Sequence, residues 1–164
     1  MKRRQTSVPT QWLVADDRID DALWRAVRRL PLGSGVLVLY RELPKRERSR
    51  LLSKLRILAG QRRLTIVDEQ EGGAARIHNL AELRRAGMAN TPLLFLSPIY
   101  PTRSHHEWTA VPRLKAAGIV KLARVPVIAL GGMDERRFRR IERLGFSGWA
   151  GIDAWIQNLN AVPT

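Results

Sequence analysis

The stretch VPVIALGGMDERRFRRIERLGFSGWAGIDAW, residues Val125–Trp155, decides the fold class. Its first apolar run, Val125–Leu130, ends at Gly131 and Gly132, an arginine-rich segment follows, and a second run spans Ser147–Ile152. An apolar run without polar alternation is typical of a strand that is covered on both faces. A strand, a helix and a second strand in this order predict a parallel βαβ unit.

The same alternation extends outward through the rest of the chain. Further strands are predicted at Trp12–Ala15, Val36–Arg41, Leu64–Val67, Ala75–His78 and Leu93–Ser97. Helices are predicted at Ile19–Leu30, from Pro44 to Gly60, at Leu80–Ala86 with Asn79 as its cap, at Thr109–Ala123, at Asp134–Leu144 and at Ala154–Leu159. This pattern indicates about seven βα units and a parallel sheet of the α/β class.

The length limits which parallel fold the chain can form. A complete (β/α)8 barrel normally needs at least ~200 residues, and this chain has 164. The chain therefore forms either a tight open sheet or a barrel with parts missing. No low-complexity segment or long linker divides it, so we expect a single domain over residues 1–164.

Composition excludes several classes of protein. At 45% hydrophobic residues the chain can bury a proper core. It has no cysteine, which excludes disulfides, a thiolate nucleophile, cysteine-based zinc sites and iron–sulfur clusters. The start, MKRRQTSVPTQWLVADD, lacks the apolar segment of a secretory signal, and no apolar run approaches the ~18 residues of a membrane helix. We expect a cytoplasmic protein without a membrane partner.

Three ordered motifs resemble the thiamine phosphate synthase/TenI family. They are LLFLSPIYPTRSH at Leu93–His105, the strand end IALGGM, and GWAGIDAW at Gly148–Trp155. They are similar to the ends of the family's sixth, seventh and eighth strands. WLVAD, VLYRE and TIVDE resemble its first three strands more weakly. The resemblance implies a TIM-barrel-like fold, incomplete or shortened, with about seven parallel strands.

The resemblance also implies a reaction of thiamine biosynthesis. In that family an aminopyrimidine pyrophosphate loses pyrophosphate, and the ring nitrogen of a thiazole phosphate attacks the pyrimidine methylene. Negative charge accumulates on the leaving pyrophosphate, so arginine, lysine and carboxylate-bound Mg2+ are expected there. The implied partner is a phosphorylated small molecule.

Site residues follow from the same motifs. The resemblance places Arg41, Ser104 and His105 among the catalytic residues, with His105 where synthases usually have lysine. It implies Asp68 as a ligand of Mg2+. The residues that it implies for the substrate phosphate are Thr102, Gly131, Gly132 and Ile152.

The part of the site for pyrophosphate and metal departs from the family pattern. Leu39 stands in place of a glutamine, Leu43 in place of a lysine and Val67 in place of an asparagine. No aspartate follows His78 at the distance of the family's second metal carboxylate. Pro98 stands where a TenI tautomerase has its acid–base histidine. Mg2+ is therefore expected to bind weakly, if one carboxylate is its only protein ligand.

The missing length is expected at two places. The stretch between residues 68 and 78 is too short for a helix and a strand, so the third helix should shrink to a turn at Gly72 and Gly73. Only MANTP, residues 88–92, stands where the family has a βα unit between its fourth helix and sixth strand. We expect seven strands and a gap, plugged by tryptophans or covered in a homodimer. The tryptophans are Trp12, Trp24, Trp108, Trp149 and Trp155.

The charge of the chain admits two explanations. The 29 Lys and Arg against 15 Asp and Glu give a net charge of +14, which is compatible with nucleic-acid binding. Many of these residues, such as Arg28, Arg62 and Lys121, fall near predicted helix C-termini, where they oppose the negative end of the helix dipole. In a barrel these ends form the underside, which leaves the active face poor in cations. Nucleic acid is therefore the weaker alternative.

Two functions remain open at this point. The chain is a transferase of the thiamine phosphate synthase type, or it is a catalytically degraded relative that binds a thiazole-phosphate-like ligand without turnover. Formation of thiamine phosphate from the two substrates would separate them.

Overall fold

The computed structural model describes residues 7–16, 21–102 and 107–156. The strands are β1 Gln11–Ala15, β2 Gly35–Val38, β3 Thr65–Asp68, β4 Ala75–Ile77, β5 Leu94–Leu96, β6 Val127–Leu130 and β7 Gly148–Gly151. The helices are α1 Ala22–Arg29, α2 Lys45–Arg62, α3 Leu80–Met88, α4 Arg113–Leu122, α5 Glu135–Arg139 and α6 Asp153–Ile156, with a 3-10 turn at Glu142–Leu144. None of these helices is both long and apolar enough to cross a bilayer.

All paired strands run parallel, in the order β3-β2-β1-β7-β6-β5-β4. This order is that of a (β/α) barrel opened at one place, and it confirms the predicted shortened fold with seven strands. Because β3 and β4 are the two ends of the order, the sheet is open between them. We call this opening the seam.

The seam does not lie where the sequence predicted the missing unit. β4 pairs directly with β5, the strand that carries the LLFLS motif, so no strand is missing between them. β4 therefore takes the position of the family's fifth strand, and the deletion lies before it rather than after it. The prediction was wrong because Ala75–His78 was aligned with a fourth strand by its place in the chain, and spacing alone cannot reveal which strand it pairs with.

A turn segment, residues 69–74, replaces the missing helix and strand. The Gly72 N–H donates to the Glu69 carbonyl at 3.2 Å, which confirms the predicted turn at this point. A Cβ on Gly73 would lie 3.1 Å from Cγ1 of Val67, so the segment packs closely against β3. Ala74 is buried among the side chains inside the curled sheet. The turn thus fills part of the seam with its own backbone.

Trp12 fills the inside of the curled sheet. It is fully buried, meets the Phe95 ring edge-on at 5.4 Å, and would collide with any side chain at Gly35. This confirms Trp12 as a plug. Trp149 and Trp155 stack on each other with ring centroids 5.2 Å apart, and Trp155 Nε1 donates to the Trp12 carbonyl at 2.9 Å. Trp149 and Trp155 pack in the outer cores of the sheet, so of these three tryptophans it is Trp12 that fills the inside.

The remaining two tryptophans do not plug the inside. Trp24 packs against the outer core between the sheet and α1 and α2, and Trp108 is 40% exposed. A second outer core lies under α3 and α4, with Ile77, Leu96 and Ile119 among its members. The sheet is thus covered on its outer face by two apolar layers, as its continuous apolar strands predict.

Three predicted helix ends differ from the structure. α4 begins after Pro112 rather than at Thr109, because proline lacks the N–H that a residue inside a helix donates. α2 passes through Gly60 and ends at Arg63, which adopts a left-handed conformation with φ 54°. The predicted helix Asp134–Leu144 is interrupted after α5 and continues only as the 3-10 turn.

Candidate active site

A cleft of about 940 Å³ lies over the carboxyl ends of the strands. Parallel strands bring all of these ends to one edge of the sheet, so the loops that follow them share one space. Residues from six strands and the loops after them line the cleft, among them Leu39, Arg76, Ser97, Thr102, Gly131, Gly132 and Ile152. Thr102 and the last three are the residues that the family resemblance implies for a substrate phosphate.

Gly131 and Gly132 form one wall of the cleft. Both have positive φ, 95° and 59°, and an added Cβ would lie 2.8 Å from the Pro98 Cα at the first glycine and 2.7 Å from the Pro101 carbonyl oxygen at the second. These two positions therefore need glycine. In the described part of the chain, the N–H groups of Gly131, Gly132 and Ile152 donate to no protein acceptor. Such N–H groups at a concave wall suit an anion.

The helix after this loop contributes less than the sequence predicted. Asp134 caps α5, as predicted, and its carboxylate accepts from the Arg137 N–H at 2.7 Å. Because the helix is only five residues long and the cap occupies one of its first N–H groups, the donors for an anion are those of the loop. The Ile152 carbonyl is engaged by the N–H of Trp155 at 3.0 Å, which fixes the facing loop.

Arg137 brings a positive charge to the same wall. Its guanidinium donates to the Gly132 carbonyl and lies 5.2 Å from the centroid of the Tyr100 ring. Arg136 also lines the cleft, and so does Arg76 of β4. The expectation of an active face poor in cations was therefore wrong. α5 is too short to carry Arg136 and Arg137 down to the underside.

A cluster of three charged side chains bridges the seam at its upper end. Glu69 accepts from Arg41 at 2.7 Å, and from the Nε and a terminal nitrogen of Arg76 at 3.0 and 3.2 Å. Burial raises the pKa of Glu69, but the hydrogen bonds and charges of Arg76 and Arg41 outweigh it, so this pKa lies below the usual glutamate value. We call Arg41, Glu69 and Arg76 the seam cluster. Arg41, predicted as catalytic, thus stands beside the cleft-lining Arg76.

Asp68 does not fit a magnesium site in this arrangement. Its side chain is 1% exposed and forms an ion pair with Arg48 of α2, and its other oxygen accepts from the Gln70 N–H at 2.9 Å. Along β3, Val67 packs toward the inside while Ile66 packs outward. By the alternation of a strand, Asp68 also points outward, away from the cleft. Nor do the described residues contain a cluster of three or more His, Cys, Asp or Glu suited to a metal ion.

The remaining sequence-predicted residues lie in or after the loop that follows β5. Thr102 lines the cleft and is engaged in a contact within the chain. Ser104 and His105, predicted as catalytic, lie outside the described residues. Asp153, the first residue of α6, is exposed and also lines the cleft. The roles of these residues stay predictions.

His78 and Glu82 form a second polar contact close to the cleft. The His78 ring nitrogen Nδ1 lies 2.8 Å from the Glu82 carboxylate, which also accepts from the His78 N–H at 2.7 Å. Burial raises the pKa of Glu82, but its hydrogen bonds to His78 and the charges of His78 and Arg85 outweigh this and hold that pKa below the usual value. The His78 ring meets Trp108 edge-on at 5.3 Å. As predicted, Glu82 belongs to a helix.

Arg76, Glu69 and Arg48 were not predicted from the sequence. Arg76 stands in a short apolar run, ARI, where a charged residue at an inward position of a strand is a usable signal. Glu69 follows the third strand directly, at the carboxyl end where functional residues gather. The pairing of Arg48 with Asp68 had no signal, because it depends on how α2 lies on the sheet.

Comparisons with known proteins agree with this geometry. The model of the thiamine monophosphate synthase (TMP-TENI) family matches residues 73–155. A thiamine-phosphate synthase of Methanobrevibacter smithii is 26% identical over 82 residues, which span 50% of this chain and 39% of that protein. The match therefore spans well under half of that relative's length.

A solved structure extends the likeness to most of the fold. The thiamine phosphate pyrophosphorylase of Pyrococcus furiosus superposes with a TM-score of 0.76 at 17% identity, over 92% of this chain and 89% of that one. At this identity the likeness concerns the fold alone. The family model covers half of the chain, including β4 to β7 and the wall at Gly131 and Gly132. The chain belongs to the thiamine monophosphate synthase family.

Proposed function

We propose that this chain joins an aminopyrimidine pyrophosphate to a thiazole phosphate, as a transferase of thiamine biosynthesis. The observation that carries the proposal is the wall of the cleft, where the N–H groups of Gly131, Gly132 and Ile152 donate to no acceptor among the described residues and the Arg137 guanidinium binds the Gly132 carbonyl. Membership of the family supports the choice of substrates.

The thiazole phosphate binds at this wall. Its phosphate oxygens accept from the loop N–H groups, while Arg137 supplies positive charge. Glycine is needed here because both positions have positive φ and a Cβ would collide with Pro98 or with the Pro101 carbonyl. The thiazole ring then lies over the inside of the sheet, toward Ser97 and Leu39, which line the same cleft.

The reaction is a substitution at the pyrimidine methylene. The lone pair of the thiazole ring nitrogen forms the new C–N bond, the C–O bond to pyrophosphate breaks, and its electron pair leaves with the pyrophosphate. The nitrogen carries no proton, so no base is needed to activate it. The protein must hold the two rings in line and stabilise the negative charge that grows on the pyrophosphate. Arg41 is the predicted catalytic residue whose positive charge suits the second role.

The test is direct assay of the product. Purified protein at micromolar concentration is incubated with the pyrimidine pyrophosphate and the thiazole phosphate, and thiamine phosphate and released pyrophosphate are measured. We expect equal amounts of both products. Gly131→Ala should abolish turnover, whereas Gly87→Ala, at a position with open space around it, should leave turnover unchanged.

Absence of product from the wild-type protein overturns the proposal. If the thiazole phosphate still stabilises the protein against heat, the ligand-binding alternative takes its place. The underside carries no comparable argument for nucleic acid, because the basic residues there are those that oppose helix dipoles.

Location and assembly remain expectations of this proposal. No step is assigned to Mg2+, because Asp68 is paired with Arg48 and points away from the cleft. A cytoplasmic location is expected for a biosynthetic enzyme of this kind. A homodimer stays a prediction from the open sheet, and light scattering after gel filtration tests it.

A further inference from the structure

We propose that Arg41 and Arg76, held together by Glu69, bind the pyrophosphate group of the substrate without a metal ion. The inference rests on the proposed function and names how its leaving group is recognised. It replaces the magnesium ion that the family resemblance implies with two guanidinium groups of this chain.

Hydrogen bonds gather the three side chains around Glu69 beside the cleft. Arg76 is the register partner of the fully buried inner residue Phe95, so it faces inward, and it lines the cleft. Glu69, in the turn directly after β3, accepts from Arg76 at 3.0 Å and from Arg41 at 2.7 Å. Arg41 and Glu69 therefore lie beside the cleft-lining Arg76, whereas Asp68 is paired with Arg48 of α2.

Arg76 is an unusual residue for an inner position of a strand. Its side chain is 23% exposed and lines the cleft, in a layer otherwise made of apolar groups. A partly buried guanidinium needs an acceptor, and Glu69, whose side chain is 16% exposed, supplies it. Glu69 also accepts from the Arg76 N–H at 3.3 Å, so the carboxylate is fixed to the backbone of β4. The side chain of Arg76 is therefore held in place by Glu69.

The seam cluster has charge and donors left over for an anion. Two arginines and one glutamate give it a net charge of +1. Glu69 takes two side-chain N–H groups of Arg76 and one of Arg41, of the five that each guanidinium carries. The other side-chain N–H groups of both arginines have no hydrogen-bond partner among the described residues, and planar guanidinium groups match the oxygens of a diphosphate.

The usual alternative, a cation bound by Asp68, is blocked by the chain itself. Arg48 forms an ion pair with Asp68 from the outer face, and so places a positive charge on that carboxylate already. The family's neighbouring asparagine and lysine are replaced by Val67 and Leu43. The family pattern places the positive charge for pyrophosphate on a metal ion at β3, whereas in this chain arginines that flank the seam supply it.

Calorimetric titration with inorganic pyrophosphate tests the inference. The protein is treated with EDTA, and binding is measured at constant ionic strength with and without added Mg2+. We expect the wild type to bind pyrophosphate in EDTA. Arg76→Met should weaken this binding about tenfold or more, since it removes charge-assisted hydrogen bonds, and Arg76→Lys should restore part of it.

Whereas Arg76→Met removes a positive charge, Glu69→Gln tests the role of the cluster's net charge by removing a negative one. It raises the net charge of the cluster, so pyrophosphate should bind several-fold more tightly, whereas a merely structural glutamate would give weaker binding. The matched control is Arg56→Met, which breaks an exposed ion pair with Glu71 away from the cleft and should change nothing.

Two results would overturn the inference. One is wild-type binding of pyrophosphate that appears only when Mg2+ is added. The other is an Arg76→Met protein, folded by circular dichroism, that binds pyrophosphate as the wild type does. Neither bears on the proposed function by itself, because formation of thiamine phosphate is measured separately.

Discussion

At the scale of single residues, the candidate site depends on two glycines whose positions leave no room for a side chain. Gly131 and Gly132 have positive φ and lie against the backbone of residues 98–101, so even a methyl group would have to displace a carbonyl or a proline ring. Both glycines also line the cleft. A small change of shape at these glycines should therefore alter both ligand binding and the stability of the fold.

Gly132→Ala is expected to weaken binding of orthophosphate about tenfold, since it disturbs hydrogen bonds to a charged ligand. It should also lower the free energy of unfolding by about 1–3 kcal/mol, because alanine is strained at φ 59° and meets the Pro101 carbonyl. Gly60→Ala is the control, since it lies inside α2 with nothing near it and should stabilise the protein by about 0.5–1 kcal/mol. Calorimetry and urea denaturation measure the two effects.

The residue scale also shows how much of the site the sequence could predict. Gly131, Gly132, Ile152 and Thr102 were found because ordered motifs mark strand ends, and strand ends converge in a parallel sheet. Arg76 was missed because its place depends on β4 lying next to β5, a pairing that no local pattern reveals.

At the scale of elements, the capping residues of α3 contact His78, which directly follows β4. Asn79 accepts from the Glu82 N–H at 3.0 Å, and Glu82 reaches back to the backbone and ring of His78. This arrangement differs from a capping box in one bond, because Glu82 accepts from the N–H of His78, the residue before the cap, and not from that of Asn79. It orients the His78 ring against Trp108 at the edge of the cleft.

Glu82→Gln should lower the free energy of unfolding by about 1 kcal/mol near neutral pH, a typical value for a capping interaction. The pKa of Glu82 is lowered from 4.5 in the folded state, so its carboxylate stabilises the protein above that value and loses this effect as the pH falls through the folded pKa. The difference between wild type and variant should therefore shrink below pH 4.5. Urea denaturation at several pH values measures it, and a constant difference would contradict the assignment.

The ion pair of Arg48 with Asp68 connects α2 to the end of β3. Arg48→Met leaves the Asp68 carboxylate buried without its cation, and such a loss destabilises proteins by about 3–5 kcal/mol. The double variant Arg48→Met, Asp68→Asn removes both charges and should recover most of that stability. If Mg2+ stimulated the reaction of the wild type and Asp68→Asn alone removed this stimulation, the structural role of Asp68 would be contradicted.

At the scale of the whole molecule, the sheet has seven strands where a complete barrel has eight, and side chains inside the curled sheet fill the remaining space. The number of strands was predictable from length and from the alternation of apolar runs, and the structure confirms seven in the part it describes. The location of the seam was not predictable, because it depends on which strands pair. Aromatic side chains, the turn at residues 69–74 and the seam cluster together take the place of the missing βα unit.

Trp12→Ala should be among the most destabilising single changes in the protein. Trp12 is fully buried and packs against Phe95 and Gly35 at the centre of the curled sheet, so its removal leaves a large cavity and should lower the free energy of unfolding by about 3–5 kcal/mol. Leu114→Ala, at an 89% exposed position, should change it by less than about 0.5 kcal/mol. Thermal denaturation distinguishes them, and similar values for both would show that Trp12 does not fill the inside.

We expect the phosphate and pyrophosphate sites to lie at one cleft and to be formed by this chain's own groups. A crystal structure with thiazole phosphate and inorganic pyrophosphate, grown in the presence of Mg2+, tests this most directly. We predict the thiazole phosphate at Gly131 and Gly132, the pyrophosphate between Arg41 and Arg76, and Arg48 still paired with Asp68. A metal ion coordinated by Asp68, with Arg48 displaced from it, would contradict the account.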